Sequence, residues 1–457
     1  TTTGENVNFI SRKNFPNPFQ MSKPANREMS DELKKHVYWT KEEGEAWDKG
    51  TKDYDGNPID IPDFKWGSTE TSHKIYDVND GLTEVGKKLG ADYDDPLWNE
   101  VLNQVTTDEA KKMMEQSYGT PKIDSIGMPS NAEYDGPAQI KSLSADSPRG
   151  VGYPNETVIA QTFSKTIAYA FGLSYGSECV KLNVAGAWAP GVNIHRTPLG
   201  GRNFEYYSED TILSSYMVTE TVRGMQNAGV YPYIKHFVIN DTETHRYRLF
   251  NWCTEQALRE TYLKPFQWAI QKADALGLMT TYGRIGAVYT GGSVALNTVV
   301  ARGEWQFKGS IITDYSGPEN SFFMVLDQAL RAGVDKGMAV GFNSKYGFDY
   351  SENSTKRLQY AMREAMHHSV YTWLRALHIN GNYNAEADGE SKIVMGQKIE
   401  PLNWWKPTLF GLDVFVGFAI AVWAWCVYYD QAALILSKMI KRKKDDSKND
   451  DSKKEGE

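Results

Sequence analysis

The sequence predicts an α/β fold: a (β/α)8 TIM-like barrel, with an extended N-terminal arm before it and a single C-terminal transmembrane helix after it. Strand, loop and helix patterns alternate through residues 95–385, and a barrel of this type usually has about 250 residues. A doubly wound sheet is the alternative. No GxGxxG or GxxxxGK[ST] loop favours a nucleotide-binding version of that alternative.

The first 94 residues differ in amino-acid composition and apolar periodicity from the barrel region. They are polar, interrupted by Pro and Gly, and poor in periodic apolar patterns. We therefore expect residues 1–94 to form an extended arm with a few short elements that packs against a partner. The remaining boundaries predicted from composition are the barrel at 95–385, a linker at 386–406, the transmembrane helix at 407–440 and a charged cytoplasmic tail at 441–457.

Within the barrel region, apolar spacing predicts the individual elements. A spacing of three to four residues indicates helices, and short apolar runs before polar loops indicate strands. Pro265 is expected to interrupt one helix. The expected helices cover 157–171, 252–270 and 359–377, and the expected strands cover 182–187, 231–237, 277–282 and 309–314.

The transmembrane prediction rests on residues 407–440, which are almost continuously apolar and aromatic. About 20 helical residues cross the hydrocarbon layer of a bilayer. Lys441, Arg442, Lys443 and Lys444 follow, and such basic runs favour the cytoplasm. We expect a single-pass protein of the cell membrane, with its catalytic domain extracellular and its C-terminus cytoplasmic. A buried helix of a soluble core is the alternative.

Charge and cysteine content argue against a nucleic-acid-binding protein, a disulfide-stabilised scaffold and a zinc protein. Among 457 residues, 58 are acidic and 50 are Lys or Arg, which gives a net charge of −8. This balance gives no electrostatic reason to bind nucleic acid. Cys179, Cys253 and Cys426 are far apart, and neither a disulfide framework nor a zinc site follows from them. We expect no metal and no cofactor.

Polar clusters follow several predicted strands, which in a barrel is the catalytic face. Asp314 ends one strand, and Lys235 and His236 end another. Taken singly, each has a structural interpretation: His236 as a core histidine, or Arg202 as an ion-pair partner of Glu205 or Glu209. Together with Asp135 they indicate a small pocket rich in charge-assisted hydrogen bonds, suited to sugar hydroxyls.

Four motifs resemble the catalytic barrel of glycoside hydrolase family 3. They are DGP at 135–137, GVNIHRTPLGGRNFEYYSED at 191–210, KHF at 235–237 and TDY at 313–315, within a similarity that runs from 94 to 377. The resemblance implies a retaining exo-β-glycosidase that releases terminal non-reducing β-D-glucosyl residues through a covalent glycosyl-aspartate. It implies Asp314 as the nucleophile and a substrate pocket of Asp135, Arg202, Lys235, His236, Tyr282, Arg246 and Tyr315, the last in a position where many members have Trp.

The chain departs from the family at the general acid. In most members this residue is a Glu on a separate α/β-sandwich domain, whereas residues 381–406 here lead directly into the predicted span. A subgroup with reversed domain order carries the sandwich ahead of the barrel. Resemblance to it implies that the missing half lies upstream of Thr1 and stays bound as a second polypeptide that supplies the acid Glu.

Three questions stay open at this point: the origin of the start at Thr1, the sugar specificity and the class of function. The chain is cut at Thr1 by itself or by a protease, or has an artificial start there. The enzyme could be a β-xylosidase or another β-glycosidase of the family, because many pyranoses share the recognised hydroxyls. A function of another class is a catalytically silent, membrane-anchored sugar-binding subunit.

Overall fold

The computed structural model describes residues 29–116, 118–141, 149–338, 344–380 and 405–454. The chain forms two units, residues 1–399 and 400–457. The first 28 residues of the predicted arm and residues 386–404 of the predicted linker lie outside the described part.

The first unit alternates helices and short strands. Among the described residues its α-helices are α1 (Asp31–Lys34), α2 (Lys41–Lys49), α3 (Glu84–Ala91), α4 (Leu97–Gln104), α5 (Thr107–Met114), α6 (Glu156–Gln161), α7 (Lys165–Lys181), α8 (Thr211–Asn227), α9 (Glu255–Ala257), α10 (Lys264–Ala273), α11 (Leu326–Arg331) and α12 (Lys356–Asn380). Its strands are β1 (Tyr76–Asp77), β2 (Gly81–Leu82), β3 (Glu115–Gln116), β4 (Gly119–Thr120), β5 (Asn131–Asp135), β6 (Val184–Trp188), β7 (Tyr231–Pro232), β8 (Ile234–Phe237), β9 (Phe250–Asn251), β10 (Gly277–Thr280), β11 (Arg284–Ile285), β12 (Val288–Tyr289), β13 (Ser310–Ile312) and β14 (Gly337–Met338).

Parallel pairing links the central strands. One sheet pairs β5 with β6 and β6 with β7, and a second pairs β8 with β10 and β10 with β13. Only Tyr233 separates β7 from β8. A bridge between Ile312 and Lys336 leads to β14, β14 pairs with β3, and β4 lies antiparallel to β5. Helices α7, α8 and α10 pack side by side outside the strands. The predicted α/β class is therefore confirmed.

Side chains from distant strands meet inside this array. Glu133 on β5 and Lys336 before β14 are both buried, with Nζ 3.2 Å from Oε1. Tyr231 donates to the same carboxylate oxygen at 2.8 Å, and Lys336 donates to the Tyr233 hydroxyl at 2.9 Å. Because a buried charge is tolerated only when paired, this network requires that β5 and β14 face a common interior.

Several predicted elements have different bounds in the structure. The single helix expected at 157–171 is two helices, α6 and α7, because Phe163 takes a left-handed φ of 51° and the Ser164 side chain caps α7. The strand expected at 309–314 ends at Ile312, so Asp314 lies in the loop after it. In the region 252–270, Pro265 lies in the first turn of α10, where a missing N–H is tolerated.

The described part of the arm packs on its own chain. Asp48 on α2 forms a two-bond ion pair with Arg331 on α11, each bond 2.8 Å long. Ile75 and Leu89 belong to the hydrophobic core that includes α12. Asp48, Ile75 and Leu89 therefore contact other parts of the same unit, and a role of the arm in binding a partner stays a prediction.

The described part of the second unit is one long helix, α13 (Trp405–Lys454). Its segment Pro407–Lys444 reaches a mean hydropathy of 2.0 and is long and apolar enough to cross a membrane. Its large apolar side chains are exposed along the whole segment. The helix extends beyond the predicted span of 407–440 at both ends.

Candidate active site

One cavity of about 310 Å³ brings together all eight residues that the sequence singles out. Asp135, Arg202, Lys235, His236, Arg246, Tyr282, Asp314 and Tyr315 line it. Asp135 ends β5, Lys235 and His236 lie on β8, and Asp314 follows β13. Because these strands run parallel, their carboxyl ends meet at one face, which explains why residues 180 positions apart in sequence share a pocket.

Asp314 has one oxygen held and one free. Its Oδ1 accepts a hydrogen bond from the Tyr315 N–H at 2.8 Å, whereas Oδ2 has no hydrogen-bond partner among the described residues. Burial raises the pKa of this carboxyl, and the raise is limited by Arg202, the Tyr315 N–H, Lys235 and the Tyr282 hydroxyl, which all favour the charged form. Oδ2 is therefore the Asp314 oxygen that is available to a ligand in the cavity.

His236 lies beside that free oxygen, with Nε2 3.6 Å from Asp314 Oδ2. Burial and the charges of Arg202 and Lys235 hold the pKa of His236 well below its usual range, so the ring is neutral. Asn240 donates to the Tyr206 hydroxyl at 2.8 Å, and that hydroxyl lies 3.3 Å from His236 Nδ1. Where the hydroxyl donates to Nδ1, the ring proton is on Nε2.

A chain of charges supports the opposite wall. Lys235 Nζ lies 2.6 Å from Asp135 Oδ1 and 4.0 Å from Glu205 Oε2, and the Arg202 Nε donates to Glu205. Lys235 is only 2 % exposed, so it is not a solvated strand end. Burial acts to raise the pKa of Asp135, but Lys235 and Arg202 outweigh it and hold this pKa below its usual range. Arg202 is thus both the ion-pair partner of Glu205 and part of the cavity wall.

Four further lining residues were not predicted from the sequence: Tyr118, Trp188, Met279 and Met338. The Tyr118 and Trp188 rings lie 5.3 Å apart and offer apolar faces of the kind on which sugar C–H groups stack. Trp188 is the last residue of β6, as Asp135 is the last residue of β5. The position of Trp188 at a strand end could have indicated that it lines the cavity.

Comparison with known proteins decides the family. Residues 141–370 match the glycosyl hydrolase family 3 N terminal domain. The chain belongs to glycosyl hydrolase family 3. This match covers the strands and loops that supply Arg202, Lys235, His236 and Asp314, and Asp135 lies just before it.

Individual relatives of this family 3 chain carry related names. A beta-glucosidase of Ruminococcus albus is 39% identical over 193 residues, covering 42% of this chain and 20% of that protein. Beta-glucosidase A of Butyrivibrio fibrisolvens is 31% identical over 270 residues, covering 59% and 32%. The chain therefore spans at most about a third of the length of these relatives.

Solved structures give the same result. The beta-glucosidase of Kluyveromyces marxianus in complex with glucose superposes with a TM-score of 0.56 at 27% identity, covering 62% of this chain and 35% of that one. Beta-glucosidase 3B of Thermotoga neapolitana in complex with α-D-glucose gives 0.53 at 27% identity, covering 64% and 44%.

The Tyr282 hydroxyl opposes the rise that burial causes in the pKa of Asp314, and it should therefore affect the pH profile of this family 3 chain. A nucleophilic carboxylate must be ionised, so activity falls as pH falls through its pKa. Tyr282→Phe removes a stabiliser of the charged form, and we expect the acidic limb of kcat/KM to move to higher pH, with roughly tenfold lower kcat/KM near neutrality. Tyr169→Phe, which removes a hydroxyl bonded to Asn227, is the matched control. An unmoved acidic limb in Tyr282→Phe would contradict this assignment.

Proposed function

We propose that this chain is the barrel half of a retaining exo-β-glycosidase, β-glucosidase-like, which releases terminal non-reducing β-D-glucosyl residues. We propose a (β/α)8 TIM-like barrel as its framework. The observation that carries the proposal is the unpartnered Asp314 Oδ2 at a cavity whose walls hold Asp135, Arg202 and Lys235. A carboxylate left free beside several hydrogen-bonding groups has the arrangement that attack on an anomeric carbon needs.

In the proposed reaction Asp314 Oδ2 attacks the anomeric carbon as the bond to the aglycone oxygen breaks. Tyr315 N–H fixes the other carboxylate oxygen, so the attacking one is aimed. The transition state resembles an oxocarbenium ion. Asp135 accepts from a sugar hydroxyl, while Lys235, Arg202 and neutral His236 donate. Hydrogen bonds that tighten at the transition state accelerate the reaction. Water then cleaves the glycosyl-aspartate, and the residue that protonated the departing oxygen takes a proton from that water.

The departing oxygen needs a proton, and the described cavity wall lacks a suitable donor. Its two carboxyl groups are Asp314 and Asp135, and Asp135 is ionised and bonded to Lys235. We infer that a second polypeptide with a sandwich domain supplies an acid Glu. No residue of this chain takes that role in the proposal.

The stereochemistry of the product tests this function. A dinitrophenyl β-glucoside has a leaving group that departs without protonation, so we expect the chain alone to hydrolyse it and to release β-glucose first, as seen by NMR. Methyl β-glucoside needs the acid, and its hydrolysis should be slower by a factor of about 10² to 10⁴ until the second polypeptide is added. An aryl β-xyloside measures sugar preference. First release of α-glucose would overturn the retaining mechanism.

We also propose that α13 crosses the cell membrane once, with the barrel outside the cell and the C-terminus in the cytoplasm. The apolar length of Pro407–Lys444, its exposed side chains and the basic run at its end support this arrangement. The tail 441–457 is then cytoplasmic.

The cysteines provide a test of the membrane proposal. Cys253 and Cys426 are both exposed, whereas Cys179 is buried. In lipid vesicles, we expect a water-soluble maleimide to label Cys253 and to leave Cys426 unlabelled until detergent is added, because hydrocarbon excludes a charged reagent. Tryptic peptides resolve the two sites by mass. Equal labelling of both in intact vesicles would contradict a membrane-spanning α13.

A further inference from the structure

A second cavity of about 400 Å³ lies near the catalytic pocket and has no role in the proposed reaction. Tyr38, Arg248, Phe250, Arg284 and Phe322 line it. Arg284 follows the catalytic-pocket residue Tyr282 by two positions, which limits the distance between their Cα atoms to about 7 Å. The two cavities therefore lie close together in the same unit.

Arg284 is an unusual buried charge. It is 1 % exposed, and no ion pair joins it to a carboxylate in the described ranges. Of its five possible N–H donors, one reaches the Tyr247 carbonyl at 3.4 Å, and Nε has no partner among the described residues. Burial lowers the pKa of this guanidinium. A buried charge without a counter-charge is costly, so an anion bound beside Arg284 would stabilise its guanidinium.

Aromatic rings fix the orientation of the Arg284 guanidinium. Its central carbon lies 4.1 Å from the ring centre of Phe323 and 4.8 Å from that of Phe250. Such cation–π contacts stabilise the charge in part. They also occupy faces of the planar group, and its N–H edge is the part that binds a carboxylate through two parallel hydrogen bonds.

The remaining wall fits a ligand with a ring beside its charge. The rings of Tyr38 and Phe322 lie 6.3 Å apart, and both are at least 37% exposed. Arg248 is exposed and forms no ion pair with a described residue. The lining thus combines two cations with three aromatic rings and contains no acidic side chain.

We propose that this cavity binds an organic carboxylate, with its carboxylate on Arg284 and Arg248 and its ring against Tyr38, Phe250 and Phe322. The carboxylate could come from a free acid or from the aglycone of a β-glycoside. Phe322 also borders a neighbouring cavity that contains Tyr315, and Tyr315 borders the catalytic pocket. The aglycone source rests on the proposed function, whereas binding of a free carboxylate does not.

Calorimetry on the full chain tests the site without requiring turnover. Benzoate and benzamide have the same ring and differ in charge. We expect benzoate to bind about tenfold more tightly than benzamide, and this preference to disappear in Arg284→Gln and to fall severalfold in Arg248→Gln. Arg223→Gln, which breaks an ion pair with Glu220 on α8, should keep the preference. Arg248 is exposed, so its variant keeps the test informative if Arg284→Gln fails to fold.

Equal binding of benzoate and benzamide to the unmodified chain would overturn the site. A preference for benzoate that is unchanged in Arg248→Gln and, where that variant folds, in Arg284→Gln would also overturn it. The source is tested with 4-carboxyphenyl and 4-carbamoylphenyl β-glucosides. A lower KM for the first, lost in Arg248→Gln, supports the aglycone. Equal KM values with retained benzoate binding support a free acid. If benzoate binds while the dinitrophenyl β-glucoside is not hydrolysed, the proposed function fails and the site stands.

Discussion

Asp314→Asn is expected to lower kcat/KM for a dinitrophenyl β-glucoside by about 10⁴-fold or more. The amide has nearly the same shape as the carboxylate but cannot form the glycosyl ester. Its burial and the N–H of Tyr315 remain compatible with the fold, so little stability should be lost. Glu319→Gln, an exposed carboxylate five residues away, is the matched control and should keep full activity.

A rescue experiment separates a nucleophile from a structural carboxylate at this position. Asp314→Ala leaves space at the face of the sugar from which Oδ2 would attack. Azide can enter that space and displace the dinitrophenolate directly, with one inversion, so the expected product is α-glucosyl azide. Activity in Asp314→Ala without azide above about one tenth of the original would exclude Asp314 as the nucleophile.

Lys235→Met is expected to have the second largest effect, because Lys235 is the cation between Asp135 and Glu205. Its loss removes a donor to the sugar, which costs about 10² to 10³ in kcat. It also leaves buried Glu205 with Arg202 alone, and we expect the free energy of unfolding to fall by about 3 kcal/mol. Urea titration and steady-state kinetics measure the two effects.

Lys308→Met is the control for that substitution. Lys308 also pairs with an aspartate, Asp94 at 2.5 Å, but both side chains are largely exposed, and exposed pairs contribute little. We expect unchanged kinetics and nearly unchanged stability. If Lys235→Met behaves like this control, the charged wall does not bind the substrate.

The sequence located the site better than it located the elements. Motif residues such as Arg202 and His236 are polar residues at or near the ends of apolar strands, where a polar side chain is unusual. Their clustering was therefore predictable. Phe163 is different, because its left-handed backbone leaves no mark in the apolar spacing that predicted a continuous helix. Met279 and Met338 were missed for a similar reason: nothing distinguishes an apolar strand residue that faces a cavity from one that faces the core.

The ion-pair network shows a second limit. The sequence allowed Arg202 to pair with Glu205 or Glu209, and the 3₁₀ turn Asn203–Glu205 brings Glu205 against it. The choice depends on how a loop folds back over the strand ends, which spacing alone does not determine. Likewise Arg284 and Arg248, on β11 and the turn before β9, are brought to one cavity by pairing between β9 and β11.

Covalent trapping tests the central claim most directly. The full chain is incubated with 2,4-dinitrophenyl 2-deoxy-2-fluoro-β-glucoside, whose fluorine slows breakdown of the glycosyl-enzyme, and is then digested for mass spectrometry. We predict one fluoroglucosyl group, carried by the peptide that contains Asp314, and none in Asp314→Asn. A label on another carboxylate, or release of dinitrophenol without a label on Asp314, would contradict the account.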